Sequence, residues 1–267
     1  MKEIEANKIA WSLLSKDHYE YFKEQLQNKN SVLSSFVEKE IGNISGKDII
    51  HIHCNTGADT ISLARKGAIV TGVDLVPENI FYAKKLSDEL DIKNIEFIEL
   101  NTMELKDKHN KKYDMVFATE GVLYWLPDLN RWAETVTHLL KENGILYLHD
   151  SHPFYFICNK EIFKENKLEI KHPYFLRKPK CKEYIGGDYA STEVIKGENY
   201  GWVYTISDII NPLVKAGLTI EYFAEYDRLC YDMGGMNKDE NGNWYYPFFD
   251  KKLPFMFSLI ARNKKNE

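Results

Sequence analysis

The segment IIHIHCNTGADTISLARKGAIVTGVD, residues 49–74, reads as strand, tight loop, helix and strand, and it closes on an acid. Ile49 to His53 alternates Ile and His as a strand does. Cys54-Asn55-Thr56-Gly57 carries turn-forming residues, and Gly57 permits either a positive φ or the close approach of a ligand. Ile61, Leu63 and Ala64 supply the apolar stripe of a helix that Gly67 ends. Ala68 to Val73 is a second apolar strand with Asp74 at its carboxyl end. In a parallel sheet that end, with the N-terminus of the helix, is where nucleotide-like ligands bind.

Working outward, Pro77-Glu78-Asn79 opens a helix whose apolar face is Ile80, Ala83, Leu86 and Leu90. Strands follow at Ile95–Leu100, Asp114–Thr119 and Ile145–Asp150, with a helix from about Leu129 to Leu140 that Asn143-Gly144 ends. This alternation predicts a parallel, doubly wound α/β sheet. Residues 5–42 read as helical. Later elements are a helix over Thr205–Ala216, a strand over Leu218–Glu225 and a last strand over Pro254–Ala261.

The 49–74 segment resembles motifs I and II of class I S-adenosylmethionine (SAM) dependent methyltransferases, and the similarity runs to about residue 150 and more weakly to the C-terminus. The resemblance implies a Rossmann-like, mostly parallel seven-stranded sheet whose last strand is antiparallel, and SAM as cofactor with S-adenosylhomocysteine as product. It implies methyl transfer to a small-molecule acceptor of the O, N, S or C type. His53, Cys54, Asn55, Gly57, Asp59 and Thr60 would form the cofactor loop and helix start. Asp74 and Leu75 would serve the ribose, Asn101, Thr102 and Met103 the adenine, and Thr119, Glu120 and Gly121 the methionine side. Where the family has an acid followed by Gly-x-Gly-x-Gly, this chain has His51, His53, Asn55 and Gly57. A dinucleotide fits worse, because its pyrophosphate needs backbone approach at two or three glycines.

The composition sets wide bounds. The 267 residues allow one large domain, expected to be a single methyltransferase domain. Within it, 5–42 would be a helical cap, 47–150 the SAM-binding core, and 151–204 and 227–253 insertions closing over substrate. A net charge of −5 gives no general attraction to nucleic acid or anionic membrane. The N-terminal residues lack a signal-peptide pattern, no apolar run approaches a membrane span, and Cys54, Cys158, Cys181 and Cys230 form no C-x-x-C pair. A cytoplasmic protein with reduced thiols is expected.

The two insertions are dense in aromatics and do not read as regular sheet; such long connections are more often functional than inert. Tyr124, Trp125, His152, Tyr184, Trp202 and Tyr204 are candidate walls of the acceptor pocket, by packing or by holding a cation on a π face. Methyl transfer needs positioning and water exclusion, and a base only for an acceptor that carries a proton. His152, in His152-Pro153-Phe154, and Glu120 are the candidate bases; the competing role for His152 is to fix the insertion by a hydrogen bond. In the N-terminal segment Trp11, His18 and Tyr19 are candidates to touch the cofactor.

No metal is expected: His51 and His53 share a strand face, but no carboxylate or Cys stands at ligand spacing. Residues 171–182, KHPYFLRKPKCK, interleave basic and aromatic residues, which keeps an RNA or protein methyltransferase as one alternative. A SAM-binding protein without transferase activity is the other.

Overall fold

The computed structural model describes residues 2–176 and 178–264. Helices α1 (Lys2–Ser12), α2 (Ser15–Asn28) and α3 (Ser35–Ile41) lead into strand β1 (Asp48–Ile52). The chain then alternates through α4 (Ala58–Arg65), β2 (Ile69–Asp74), α5 (Pro77–Glu89), β3 (Ile95–Glu99), α6 (Leu105–Lys108), β4 (Tyr113–Thr119), α7 (Leu129–Leu139) and β5 (Leu140–Ser151). A first insertion holds α8 (Pro153–Ile157) and the strands β6 (Lys180–Gly186) and β7 (Val194–Gly201). After α9 (Ile206–Lys215) and β8 (Thr219–Tyr226), a second insertion holds the short strands β9 (Asn237–Lys238) and β10 (Trp244–Tyr245), and β11 (Met256–Arg262) completes the fold.

The central sheet has the order β3-β2-β1-β4-β5-β11-β8. β11 runs antiparallel to both neighbours, and the pairings among β1 to β5 are parallel. The direction of winding reverses between β1 and β4, which opens a crevice at the carboxyl ends of those strands.

Local chemistry explains the boundaries. Asp128 caps α7, accepting from the N–H groups of Asn130 and Arg131, and Pro77 occupies the first turn of α5, where its missing donor is harmless. Thr205 and Asp208 form a reciprocal capping box on α9. Below the crevice α7 lays Trp132, Val136 and Leu139, all fully buried, on the face of β4 and β5. Burial of one such side chain contributes roughly 1.5–3 kcal/mol.

Three expectations change. The helical stretch 5–42 is three helices; Ser34 accepts from the Val37 N–H and starts the third. α7 stops at Leu139 and β5 starts at Leu140, before Asn143-Gly144, so that pair lies within β5 with Asn143 at φ +63°. The first insertion is in part regular: β6 and β7 pair as an antiparallel hairpin outside the main sheet. It docks on the core where an added Cβ on Gly201 would fall 1.8 Å from the Tyr124 ring, and where the Trp202 N–H donates to Tyr124 O at 2.8 Å. Among the described residues no helix is long and apolar enough to cross a membrane.

Candidate active site

The loop from β1 to α4 keeps the backbone of a glycine-rich turn with one glycine. His53, Asn55 and Gly57 all have positive φ, at 61°, 49° and 82°. Asn and His are among the non-glycine residues that enter this region most readily. Asp74 holds the loop from β2: one carboxylate oxygen accepts the Asn55 N–H at 2.8 Å, and the other accepts the Val76 N–H at 2.9 Å and Asn79 Nδ2 at 3.2 Å. Burial raises the Asp74 pKa, and these donors oppose the rise. His51 and His53 are held neutral by burial, which lowers their pKa to about 3 and about 4.

A second group of acids lies at the ends of β4 and β5. Thr119 donates to Asp59 Oδ2 at 2.7 Å. Glu120 has φ +63°, its N–H donates to His149 O, and its Oε1 stands 3.1 Å from His149 Nδ1. Asp150 accepts the N–H groups of Gly121 at 2.9 Å and Leu123 at 2.8 Å, which fixes the chain after β4.

Burial raises Asp59 from 3.8 to about 6. The folded state therefore binds more protons than the unfolded chain between these values, and stability falls as pH rises through that window. Asp59→Asn is expected to add roughly 3 kcal/mol of stability at pH 8, where the wild-type carboxyl is ionised in both states. Near pH 3, where it is protonated in both, the gain should vanish. Urea unfolding at the two pH values checks this, and an equal shift at both would contradict it.

The roof comes from three parts of the chain. Asn7 of α1 exchanges two hydrogen bonds with the backbone of Tyr200, at 2.8 and 2.7 Å. On α2, Asp17 accepts from Ser191 at 2.7 Å and His18 lies 3.3 Å from Asp188. Tyr189 of the first insertion stacks on Tyr231 of the second, with centroids 3.6 Å apart and planes 6° from parallel. Beneath them lies a cleft bordered by the β1–α4 loop and the carboxyl ends of β2, β3 and β4.

Twelve of the fourteen expected cofactor residues line this cleft: His53, Cys54, Asn55, Asp59, Asp74, Leu75, Asn101, Thr102, Met103, Thr119, Glu120 and Gly121. Gly57 and Thr60 do not. Gly57 turns its Cα toward Ala83 and Phe97, where an added Cβ would fall 2.9 Å from each, and Thr60 is fully buried with its hydroxyl 2.9 Å from His51 Nδ1. Asn101 Oδ1 accepts the Met103 N–H at 3.0 Å, so it also caps the turn after β3.

Of the acceptor-side candidates only Trp125 lines the cleft. His152 is the main correction: it is buried, its Nδ1 accepts the Phe154 N–H at 3.0 Å to cap α8, and its Nε2 faces Glu225 at 2.9 Å. It fixes the start of the first insertion, and the His-Pro pair reflects a helix start. Tyr124 is buried against Phe156, and burial pushes its hydroxyl up to about 12. Trp202 and Tyr204 border a separate crevice beside α9, and Tyr184 is exposed on β6. Trp11 lines the cleft, whereas His18 and Tyr19 pack behind it. Arg177 of the basic 171–182 stretch lies outside the described residues. Tyr231 and Phe22 reach the cleft without a local sequence signal, since only the tertiary fold brings them there.

Residues 50–146 match the methyltransferase domain family. The sheet order and the cleft at the β1/β4 switch point agree with that match. The chain carries a methyltransferase domain over residues 50–146 and has the fold of SAM-dependent methyltransferases. A protein of Geobacillus sp. (strain WCH70) named as a methyltransferase is 28% identical to it over 222 residues, 76% of this chain and 89% of the relative. The ubiquinone biosynthesis O-methyltransferase of Acinetobacter baumannii (strain AYE) is 23% identical over 199 residues, 73% of each chain. Among solved structures, an S-adenosylmethionine dependent methyltransferase from Listeria monocytogenes superposes with a TM-score of 0.60 at 17% identity, covering 85% of this chain and 95% of that one; this is a likeness of fold.

The residues of the cleft suit SAM in this methyltransferase. Two buried polar atoms on the β1–α4 loop, His53 Nε2 and Thr56 Oγ1, have no partner of their own, and an unpaired buried polar group is stabilised by a ligand that bonds it. Asp59, Asp74 and Glu120 place carboxyl groups along the cleft, which favours a cationic ligand such as a sulfonium. Nothing lies within 4 Å of where a Cβ on Gly121 would stand, so the chain there is open to a bound molecule.

Proposed function

We propose that this methyltransferase acts on a small molecule enclosed beneath the two insertions, with the whole chain working as one domain. The observation that carries the reading is the Tyr189–Tyr231 stack, which joins the insertions across the top of the cleft. A roof built from three segments leaves room for a compact acceptor and obstructs a folded protein or a duplex.

SAM supplies an activated methyl group on a cationic sulfur. In this reading Asp74 accepts the ribose hydroxyls while holding the loop, Leu75 and Met103 flank the adenine, and the chain from Thr119 to Gly121 borders the methionine end. Asn101 and Thr102 stand at the adenine edge, and His53, Cys54, Asn55 and Asp59 border the loop side. Trp11, Trp125, Tyr189 and Tyr231 exclude water from the transfer zone, where alignment of donor and acceptor accounts for most of the rate. Glu120 is the carboxylate placed to take a proton from an acceptor that carries one; His152 is not placed for it. The product is S-adenosylhomocysteine.

Incubating the protein with methyl-labelled SAM and a deproteinised cell extract tests the acceptor class. Label should appear in the low-molecular-mass fraction. Label transferred solely to protein or RNA, when those fractions are supplied instead, would overturn the reading.

A further inference from the structure

The fold brings together a thiol, an imidazole and a carboxylate that lie far apart in the sequence. Cys230 belongs to the second insertion, His149 to β5, and Glu120 to the turn after β4. Their donor atoms all lie within 4.8 Å of one another. We propose that Glu120, His149 and Cys230 form a binding site for a divalent ion of the zinc type at the edge of the cleft.

Four observations support the site. The donor set mixes sulfur, nitrogen and oxygen, which suits a borderline-soft ion and is unlike the all-oxygen sets of magnesium or calcium. His149 is fully buried, and its Nδ1 faces Glu120 Oε1 at 3.1 Å. Among the described residues Glu120 forms its one ion pair with His149, so this cleft-facing carboxylate has no lysine or arginine to balance it. Three protein ligands also leave a fourth tetrahedral position open, as catalytic rather than purely structural zinc sites do.

Cys230 would bind as the thiolate, releasing its proton to solvent. With the ion bound, Glu120 serves as its ligand in place of acting as a free base, and because Glu120 lines the cleft the open position is the place for water or for an oxygen, nitrogen or sulfur atom of the acceptor. The site also ties the second insertion to the ends of β4 and β5. The proposal departs from the sequence reading, which expected no metal because no carboxylate or Cys stands at ligand spacing from His51 and His53 along the chain. The ion site stands on its own donors and does not depend on the identity of the acceptor.

The test is titration of the reduced, chelator-treated full chain with Co²⁺, followed by absorption spectroscopy. One equivalent should give a thiolate-to-cobalt charge-transfer band and tetrahedral visible bands, and Zn²⁺ should displace them. Cys230→Ser should remove the charge-transfer band and weaken Zn²⁺ by at least ~100-fold, since losing a direct ligand exceeds the 10–100-fold effect of losing a supporting contact. Cys181→Ser, at an exposed position, should leave the band unchanged. Glu120→Gln keeps the side-chain shape and should weaken Zn²⁺ without removing the band, a second readout if Cys230→Ser proves unstable. No band at one equivalent, or a band that survives in Cys230→Ser, would overturn the proposal. SAM binding measured on the same samples separates loss of the metal site from loss of the cofactor site.

Discussion

Replacing Asp74 by alanine is expected to raise the SAM dissociation constant by a factor of ~30 to ~1000. The lower figure is the loss of charge-assisted contacts to a ligand, about 2 kcal/mol. The upper figure adds the loop. The Asp74 carboxylate also holds the N–H groups of Asn55 and Val76 and the amide of Asn79. Removing the acceptor leaves donors without partners in a buried setting, at roughly 1–3 kcal/mol for a single group. The mutant should therefore melt at lower temperature as well as bind weakly. Asp74→Asn retains an acceptor oxygen and should lose affinity with a smaller loss of stability. Calorimetry with SAM and a thermal melt measure the two effects, and wild-type affinity in Asp74→Ala would remove this residue from the site.

Gly57→Ala should destabilise the protein by about 2–5 kcal/mol, although alanine adds one carbon. Two terms add. The residue stands at φ +82°, where an L side chain costs roughly 1–2 kcal/mol. The new Cβ would also fall 2.9 Å from Ala83 Cβ and from Phe97 Cζ, and overpacking of this kind costs typically 1–3 kcal/mol. Because Gly57 precedes the first turn of α4, SAM affinity should fall with stability. Denaturant unfolding checks the size of the effect; a midpoint unchanged from wild type would show that α5 and β3 yield more readily than their packing suggests. The glycine is needed for its backbone angle and for its close packing on α5 and β3.

The alternation from β1 to β5 was legible in the sequence because each strand there is an apolar run bounded by turn residues, and each strand end carries its polar group. Asp74, Glu120 and the loop 53–57 follow from that alternation. The loss of two glycines at His53 and Asn55 suggested a changed loop, yet both residues adopt the left-handed angles a glycine would. Composition departed there while backbone shape did not. The β6–β7 hairpin was hidden because neither strand has a clean apolar face: KCKEYIG and VIKGENYG pack only part of their length. His152 shows the limit of a local motif. A histidine before a proline fits both a catalytic base and a helix cap, and only its bonds to Phe154 and Glu225 decide between them. Cys230 and Tyr231 carried no signal at all, since their neighbours Glu120 and Tyr189 lie far away in the chain.

The most direct measurement is calorimetric titration of the purified protein with SAM and with S-adenosylhomocysteine. Saturable one-to-one binding of both, with dissociation constants in the micromolar range or tighter, is the predicted result, corresponding to about −8 kcal/mol. Absence of heat and of any thermal stabilisation with either ligand would contradict the account, since the cleft at the ends of β1, β2 and β4 would then have another occupant.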